Sequence, residues 1–330
     1  MSTTSEGIYT KEGNIEYVVQ HPSGVIKGLI FLAHGCSHSS TDWFPKGRQC
    51  QGCIGLPIER YIVSKVLAEG YVALSMSSID RIRKCWVPRI DTEAAVKTIR
   101  IVRNHLNVPH SAPNYLIGAS SGGFFVSTLG IYLNKVAKEE GDPSLACQGI
   151  SIQVASIHPR LCRDRSMIKF LPSSVFFVHM KRDEHITRAV EEAIACINDE
   201  SNEKKKADEH VHASAVLAKP LKLHPSYFSN LSSHLTPEDS ERYVHGLERE
   251  GFVDPSSHEL KLDPRSQVDA FVKVAREAII DISTKDSLVP DESGILELLN
   301  AAYAYHEITA EGLDEILAAW SKLQNQDPSD

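Results

Sequence analysis

Hydrophobic positions along this chain fall into two alternating rhythms. Ile15 to Gln20 (Ile-Glu-Tyr-Val-Val-Gln) reads as a strand, and Pro22-Ser23-Gly24 as a turn. Gly28 to Ala33 is a continuous apolar run, the kind found in strands buried on both faces. Leu56 to Glu69 has helical spacing and stops at Gly70, which suits the left-handed position after a helix. Tyr71 to Met76 is the next strand. Thr92 to Leu106 follows as an amphipathic helix, with Ala95, Val96, Ile99, Val102 and Leu106 on one stripe. The rhythm repeats with a strand at Tyr115-Leu116-Ile117 and a helix from Gly122 through Leu133. Further strands are expected at Gly149–Ile157 and Val175–His179, a helix at Ile186–Ile197, and a last strand at Ala213–Leu221.

Strands alternating with helices predict an α/β fold, a doubly wound and mainly parallel sheet. The last third reads differently. From Thr236 to Trp320 the pattern is helical with no convincing strand. Thr236-Pro237-Glu238-Asp239 is a helix start, with a capping threonine, proline at the first helical position and acidic residues in the first turn. Helices are expected near Arg265–Ile280, Ile295–Tyr305 and Thr309–Leu323, the last capped by Thr309. The predicted organisation is a core of residues 1–224 and 300–330 carrying an inserted helical cap at 225–299. There is no internal repeat and no long low-complexity segment.

Length and charge narrow the classes. A chain of 330 residues can bury one large core with an insertion, and 42% hydrophobic with 24% charged residues is ordinary for a water-soluble domain. A net charge of -8 argues against a nucleic-acid backbone as main partner. Lys204-Lys205-Lys206, flanked by Glu203 and Asp208, reads as a solvated turn. No stretch approaches the length of a membrane span, and Met1 to Gly7 lacks the apolar region of a secretory signal, so a cytoplasmic location is expected. No cofactor and no metal site are expected.

Candidate chemistry centres on Gly118-Ala119-Ser120-Ser121-Gly122, a G-x-S-x-G run between a strand and a helix. That context suits a nucleophile elbow, in which a strained turn lifts the serine hydroxyl above the sheet edge. The small neighbours allow the chain to fold back tightly. A serine nucleophile needs a base, and the base needs an acid to orient it. In this arrangement the parts follow in the order serine, acid, histidine. Asp183, after the Val175–His179 strand, is the expected acid. Glu184 is its alternative, and helix capping is the plainer role for either. His306, directly before the final helix, is the expected base, with His224 as the alternative after the last strand and His234 and His258 as lesser candidates. The oxyanion needs two backbone donors. Ser121 supplies one, and Cys36, in Ala33-His34-Gly35-Cys36-Ser37-His38 after an apolar strand, supplies the other.

The seven cysteines do not have the spacing of a dense disulfide scaffold. Cys50 and Cys53 have three readings: a redox pair near a helix start, half of a zinc site with Cys36 or Cys85, or a local structural turn disulfide-linked to a neighbour. Trp43, Phe44 and Trp86 flank the loops beyond the strand ends. They are expected either to line an apolar pocket for the substrate or to pack the loops.

Taken together these parts resemble the α/β-hydrolase superfamily, over about Ile15 to Leu221 and His306 to Trp320. Within it the chain resembles a plant and algal branch. The matching stretches are His34-Gly35-Cys36-Ser37, Cys50-Gln51-Gly52-Cys53-Ile54-Gly55-Leu56-Pro57, Asp80-Arg81 with Cys85-Trp86, and Gly118-Ala119-Ser120-Ser121-Gly122-Gly123. The resemblance implies the fold, a serine nucleophile and hydrolysis of an acyl bond in a small-molecule substrate. It does not imply which substrate. The long interval from Asp183 to His306 departs from the compact family pattern. Two other readings use the same residues: a ligand-binding receptor on a hydrolase scaffold, and acyl transfer to an alcohol other than water. A receptor would turn over no faster than about once per hour, against roughly 1–1,000 per second for an enzyme.

Overall fold

A computed structural model describes residues 6–198 and 211–324, without the side chains of residues 162, 163 and 165. Met1 to Ser5 and the Lys204-Lys205-Lys206 run lie outside the described residues. Eight strands form one sheet: β1 Ile8–Glu12, β2 Ile15–Gln20, β3 Gly28–Ala33, β4 Tyr71–Met76, β5 Asn114–Ala119, β6 Cys147–Gln153, β7 Ser174–Met180 and β8 His212–Ala218. Their order across the sheet is β1-β2-β4-β3-β5-β6-β7-β8. The first two strands are antiparallel to their neighbours, and the remaining six run parallel. This is the α/β-hydrolase fold.

Twelve helices are described: α1 Pro57–Ala68, α2 Pro88–His105, α3 Ser121–Glu140, α4 Pro159–Arg163, α5 Arg165–Ile168, α6 Glu184–Asn198, α7 Tyr227–Leu231, α8 Pro237–Arg249, α9 Val268–Ala278, α10 Ile282–Lys285, α11 Gly294–Tyr303 and α12 Leu313–Gln324. Successive strand side chains point to opposite faces, and the core divides accordingly. Leu29, Phe31, Val72, Leu74, Leu116 and Ile150 pack against α2, α3 and α6. On the other face, Ile30, Leu32, Ala73, Tyr115 and Ile117 join α1, α12 and the helices α7 to α11 in one continuous apolar cluster. Helices α7 to α11 therefore share their core with the sheet.

Three local expectations differ from the structure. Strand β1 has no counterpart in the sequence reading, because Ile-Tyr-Thr-Lys-Glu at a sheet edge buries little and carries no apolar run. Strand β6 ends at Gln153, where Val154 turns to φ +42°. The final helix starts at Leu313 rather than at Thr309. Thr309 Oγ1 accepts from Glu311 N at 3.1 Å in a turn that runs into Gly312 at φ +75°. Past that turn, Leu313, Ile316, Leu317 and Trp320 are all buried. Trp320 stacks on Tyr115 with ring centroids 4.5 Å apart, and the Tyr115 hydroxyl donates to the Trp320 carbonyl at 3.0 Å. This docking ties the end of the chain to the elbow strand.

Candidate active site

The bend at Ser120 is dictated by what surrounds it. Strand β5 ends at Ala119 and α3 begins at Ser121, which leaves Ser120 alone at the corner with φ +53° and ψ −117°. A residue with a Cβ disfavours that region, so the surroundings must impose it. Two glycines make the corner possible. A Cβ on Gly118 would lie 2.3 Å from the Gly122 carbonyl oxygen. One on Gly122 would lie 2.4 Å from the carbonyl oxygens of both Ala33 and His34. The elbow thus packs backbone against backbone on the end of β3. Ser120 N donates to Gln153 O at 2.9 Å, and the Ser120 side chain remains partly exposed above the sheet.

Two residues from distant loops line up behind this hydroxyl. His306 Nε2 lies 3.0 Å from Ser120 Oγ, and His306 Nδ1 lies 2.7 Å from Asp183 Oδ2. With the Nδ1 proton donated to the carboxylate, Nε2 is free to accept the serine proton. Asp183 follows β7 and is almost fully buried, while its other oxygen, Oδ1, accepts from Ile186 N at 3.2 Å. The carboxylate therefore caps α6 and faces the imidazole at once. Gln153 bridges the two halves: its carbonyl binds Ser120 N, and its side-chain Oε1 accepts from Thr309 N at 3.0 Å.

Beside the hydroxyl runs the loop after β3. Among the described residues, no protein acceptor takes the backbone N–H of Cys36 or of Ser121. The loop is pinned at three points. His34 Nε2 accepts from Ser78 N at 3.0 Å, and its Nδ1 lies 2.6 Å from Gly35 O. Burial pushes the His34 imidazole down to about 4, with the Gly35 carbonyl opposing, so the ring is neutral at physiological pH. Trp86 Nε1 donates to His34 O at 2.9 Å. A disulfide joins Cys36 to Cys85 in the loop that follows β4.

The remaining expected site residues lie elsewhere. Trp43 and Phe44 are fully buried in the core, and Trp86 stacks on Phe125 with centroids 4.2 Å apart. With so little accessible surface, their packing favours the loop-packing alternative over the pocket one. His224 is exposed and bonds to Ser226 Oγ at 3.1 Å, while the imidazole on Ser120 Oγ is that of His306; His234 and His258 are also exposed. Glu184 is exposed at the start of α6. Cys50 and Cys53 are joined to each other, both sulphurs on buried residues that flank an exposed turn. The sulphurs that a zinc reading needs are thus already paired.

Sequence reasoning passed over a cavity of about 280 Å³, walled by His38, Leu56, Arg265, Glu297, Asn300 and Glu307 among others. Burial alone would lower the His38 imidazole. The hydrogen bond and charge of Asp42, 3.0 Å away, together with Glu59 and Glu307, instead raise it to about 9. Burial and the charge of neighbouring Glu59 hold the buried Glu297 carboxyl well above the usual carboxylate range. These residues come from loops and helices far apart in sequence, and no local spacing brings them together.

No family model and no curated protein sequence matches the chain. Among solved structures, an esterase from the fungus Rhizomucor miehei is 14% identical, with a TM-score of 0.43, over 66% of this chain and 75% of that one. A dienelactone hydrolase from Anabaena variabilis is 13% identical, with a TM-score of 0.41, over 66% of this chain and 85% of that one. A predicted CIB-like hydrolase from Thermoplasma acidophilum is 16% identical, with a TM-score of 0.41, over 76% of this chain and all of that one. Likenesses this distant carry no argument about the reaction. The fold is read from the strand order and the elbow themselves.

Proposed function

We propose that the protein is a serine hydrolase that cleaves a carboxylic ester or thioester through an acyl-enzyme intermediate. One observation carries the reading. A serine hydroxyl at a strained strand-to-helix corner lies 3.0 Å from an imidazole whose other nitrogen lies 2.7 Å from a buried carboxylate. Ser120 Oγ attacks the acyl carbon and gives its proton to His306 Nε2. Asp183 keeps the imidazole in the tautomer that can accept this proton and stabilises the imidazolium. Charge develops on the acyl oxygen beside the amides of Cys36 and Ser121. Collapse expels the alcohol or thiol, which takes the proton from His306. Water then attacks the acyl group by the reverse relay and frees Ser120.

Residues 225–299 act as a cap in this reading, because the cavity between His38 and Glu307 takes much of its wall from Pro264 to Asn300. The quoted sequence stretches alone support membership of the plant and algal branch. The test is Ser120→Ala: it should abolish hydrolysis of a short-chain aryl ester and labelling by a fluorophosphonate. Retained labelling contradicts the assignment.

A further inference from the structure

The turn that carries His306 is not held by its own backbone preferences. Ala304 and His306 both adopt positive φ, +57° and +46°, a region that residues with a Cβ disfavour. Such a conformation persists only where the surroundings impose it. One side chain holds the turn on both flanks of the imidazole. Arg265 Nη1 donates to the Tyr305 carbonyl at 2.7 Å, and Arg265 Nη2 donates to Glu307 Oε2 at 2.6 Å. Glu307 is fixed further by Asn300 Nδ2, which donates to Oε2 at 3.2 Å, and by Ile308 N, which donates to Oε1 at 2.9 Å. Arg265 is itself anchored in the inserted segment, where Asp263 Oδ1 accepts from Arg265 N at 3.0 Å in the Pro264–Gln267 turn.

We propose that Arg265 is a positioning residue for His306, its planar guanidinium bracketing the residues on either side and so letting the inserted segment set the imidazole against Ser120 and Asp183. The proposal rests on the reading of His306 as the base. Arg265 is not a catalytic residue, since no contact joins it to the three reacting side chains. Its chemistry suits the task. Arginine offers a rigid fork of donors that can serve a carbonyl and a carboxylate together, whereas lysine offers one flexible point charge. A partly exposed ion pair contributes little to stability, but a small displacement of a reacting group costs much in rate. Positioning therefore predicts a loss of rate without a matching loss of stability.

The experiment uses the full chain as wild type, Arg265→Ala and Arg265→Lys. It measures p-nitrophenyl acetate hydrolysis, the rate of fluorophosphonate labelling at Ser120, and the thermal midpoint. Both variants should lose about 10- to 100-fold in kcat and in labelling rate. KM should change less than kcat, since the bonds lost run to Tyr305 and Glu307 on the His306 turn. The midpoint should barely move, and guanidinium added at low millimolar concentration should restore part of the Arg265→Ala rate. Folded variants with wild-type kcat and labelling overturn the proposal, as does a loss confined to KM or one that tracks the midpoint without rescue. Should Arg265→Ala fail to fold, Arg265→Lys decides alone: a reduced rate at unchanged midpoint supports the proposal, and a wild-type rate overturns it. Failure of the underlying reading looks different, because the wild type itself would then not label at Ser120.

Discussion

The backbone N–H of Ser78 donates to Nε2 of His34 across 3.0 Å, and this bond fixes the state of a buried ring. A backbone amide can only donate, so Nε2 must be unprotonated and the ring proton sits on Nδ1, facing the Gly35 carbonyl 2.6 Å away. His34 thereby links the end of β4 to the loop whose Cys36 amide is proposed to face the oxyanion. His34→Ala strands the buried Ser78 amide. Losing that partner should cost about 1–3 kcal/mol, with the cavity adding to it. Urea unfolding at neutral pH checks the stability, and kcat for an aryl ester should fall in the same variant. A change within about 0.5 kcal/mol, the range of ordinary surface substitutions, contradicts the role.

Two histidines give the stability curve opposite slopes. His34 has a folded value of about 4 against 6.5 for the free side chain. Between those values the unfolded chain binds a proton that the folded chain refuses. The stability is therefore complete above pH 6.5 and falls as pH drops toward 4, by up to about 3 kcal/mol. His38 is raised from 6.5 to about 9, so its contribution is complete below 6.5 and is lost as pH rises through 9. Unfolding free energies measured by urea from pH 4 to pH 9 should pass through a maximum between these limbs. His34→Ala should flatten the acid limb, and His38→Ala the alkaline one. A wild-type curve without an acid-side decline is the contrary result.

The Cys36–Cys85 bond closes a loop between residues 49 apart in sequence, while the Cys50–Cys53 bond spans three. Chain-entropy arguments give a long-loop bond about 2–4 kcal/mol and favour it over a short one. Cys85→Ser should lower unfolding stability by that amount, and Cys53→Ser by less. A dithiol reductant should bring the wild type down toward the Cys85→Ser value. Differential calorimetry with and without reductant measures this, and equal effects of the two substitutions contradict it. The result bears on the cytoplasmic expectation, because a reducing compartment would keep such pairs as thiols.

What the sequence makes legible is local. Gly118 to Gly123 announces a strand, a corner and a helix within a dozen residues, because the turn itself demands small residues where a Cβ would meet a carbonyl oxygen. The apolar runs of β3, β4 and β7 stand out because both their faces are covered. Chain order, a place after a strand and a place before the final helix single out Asp183 and His306, the two side chains that line up behind Ser120. What stayed hidden depends on contacts made across the fold. Strand β1 is too exposed to carry a pattern. The burial of Trp86 against Phe125 follows from the docking of α2 and α3, not from spacing. The Cys36–Cys85 pairing joins two loops at the ends of neighbouring strands. Arg265 meets the His306 turn from a segment 40 residues away, and an arginine in a polar turn gives no sign of its target.

The most direct test is to stop the hydrolysis of p-nitrophenyl acetate with acid in the steady state and locate the acetyl group by peptide mass spectrometry. The acetyl group should sit on Ser120 in the wild-type protein. It should be absent from Ser120→Ala and from His306→Ala, with release of p-nitrophenol falling to background in both. Undiminished turnover in Ser120→Ala, or an acetyl group found at another residue while Ser120 stays free, contradicts the account.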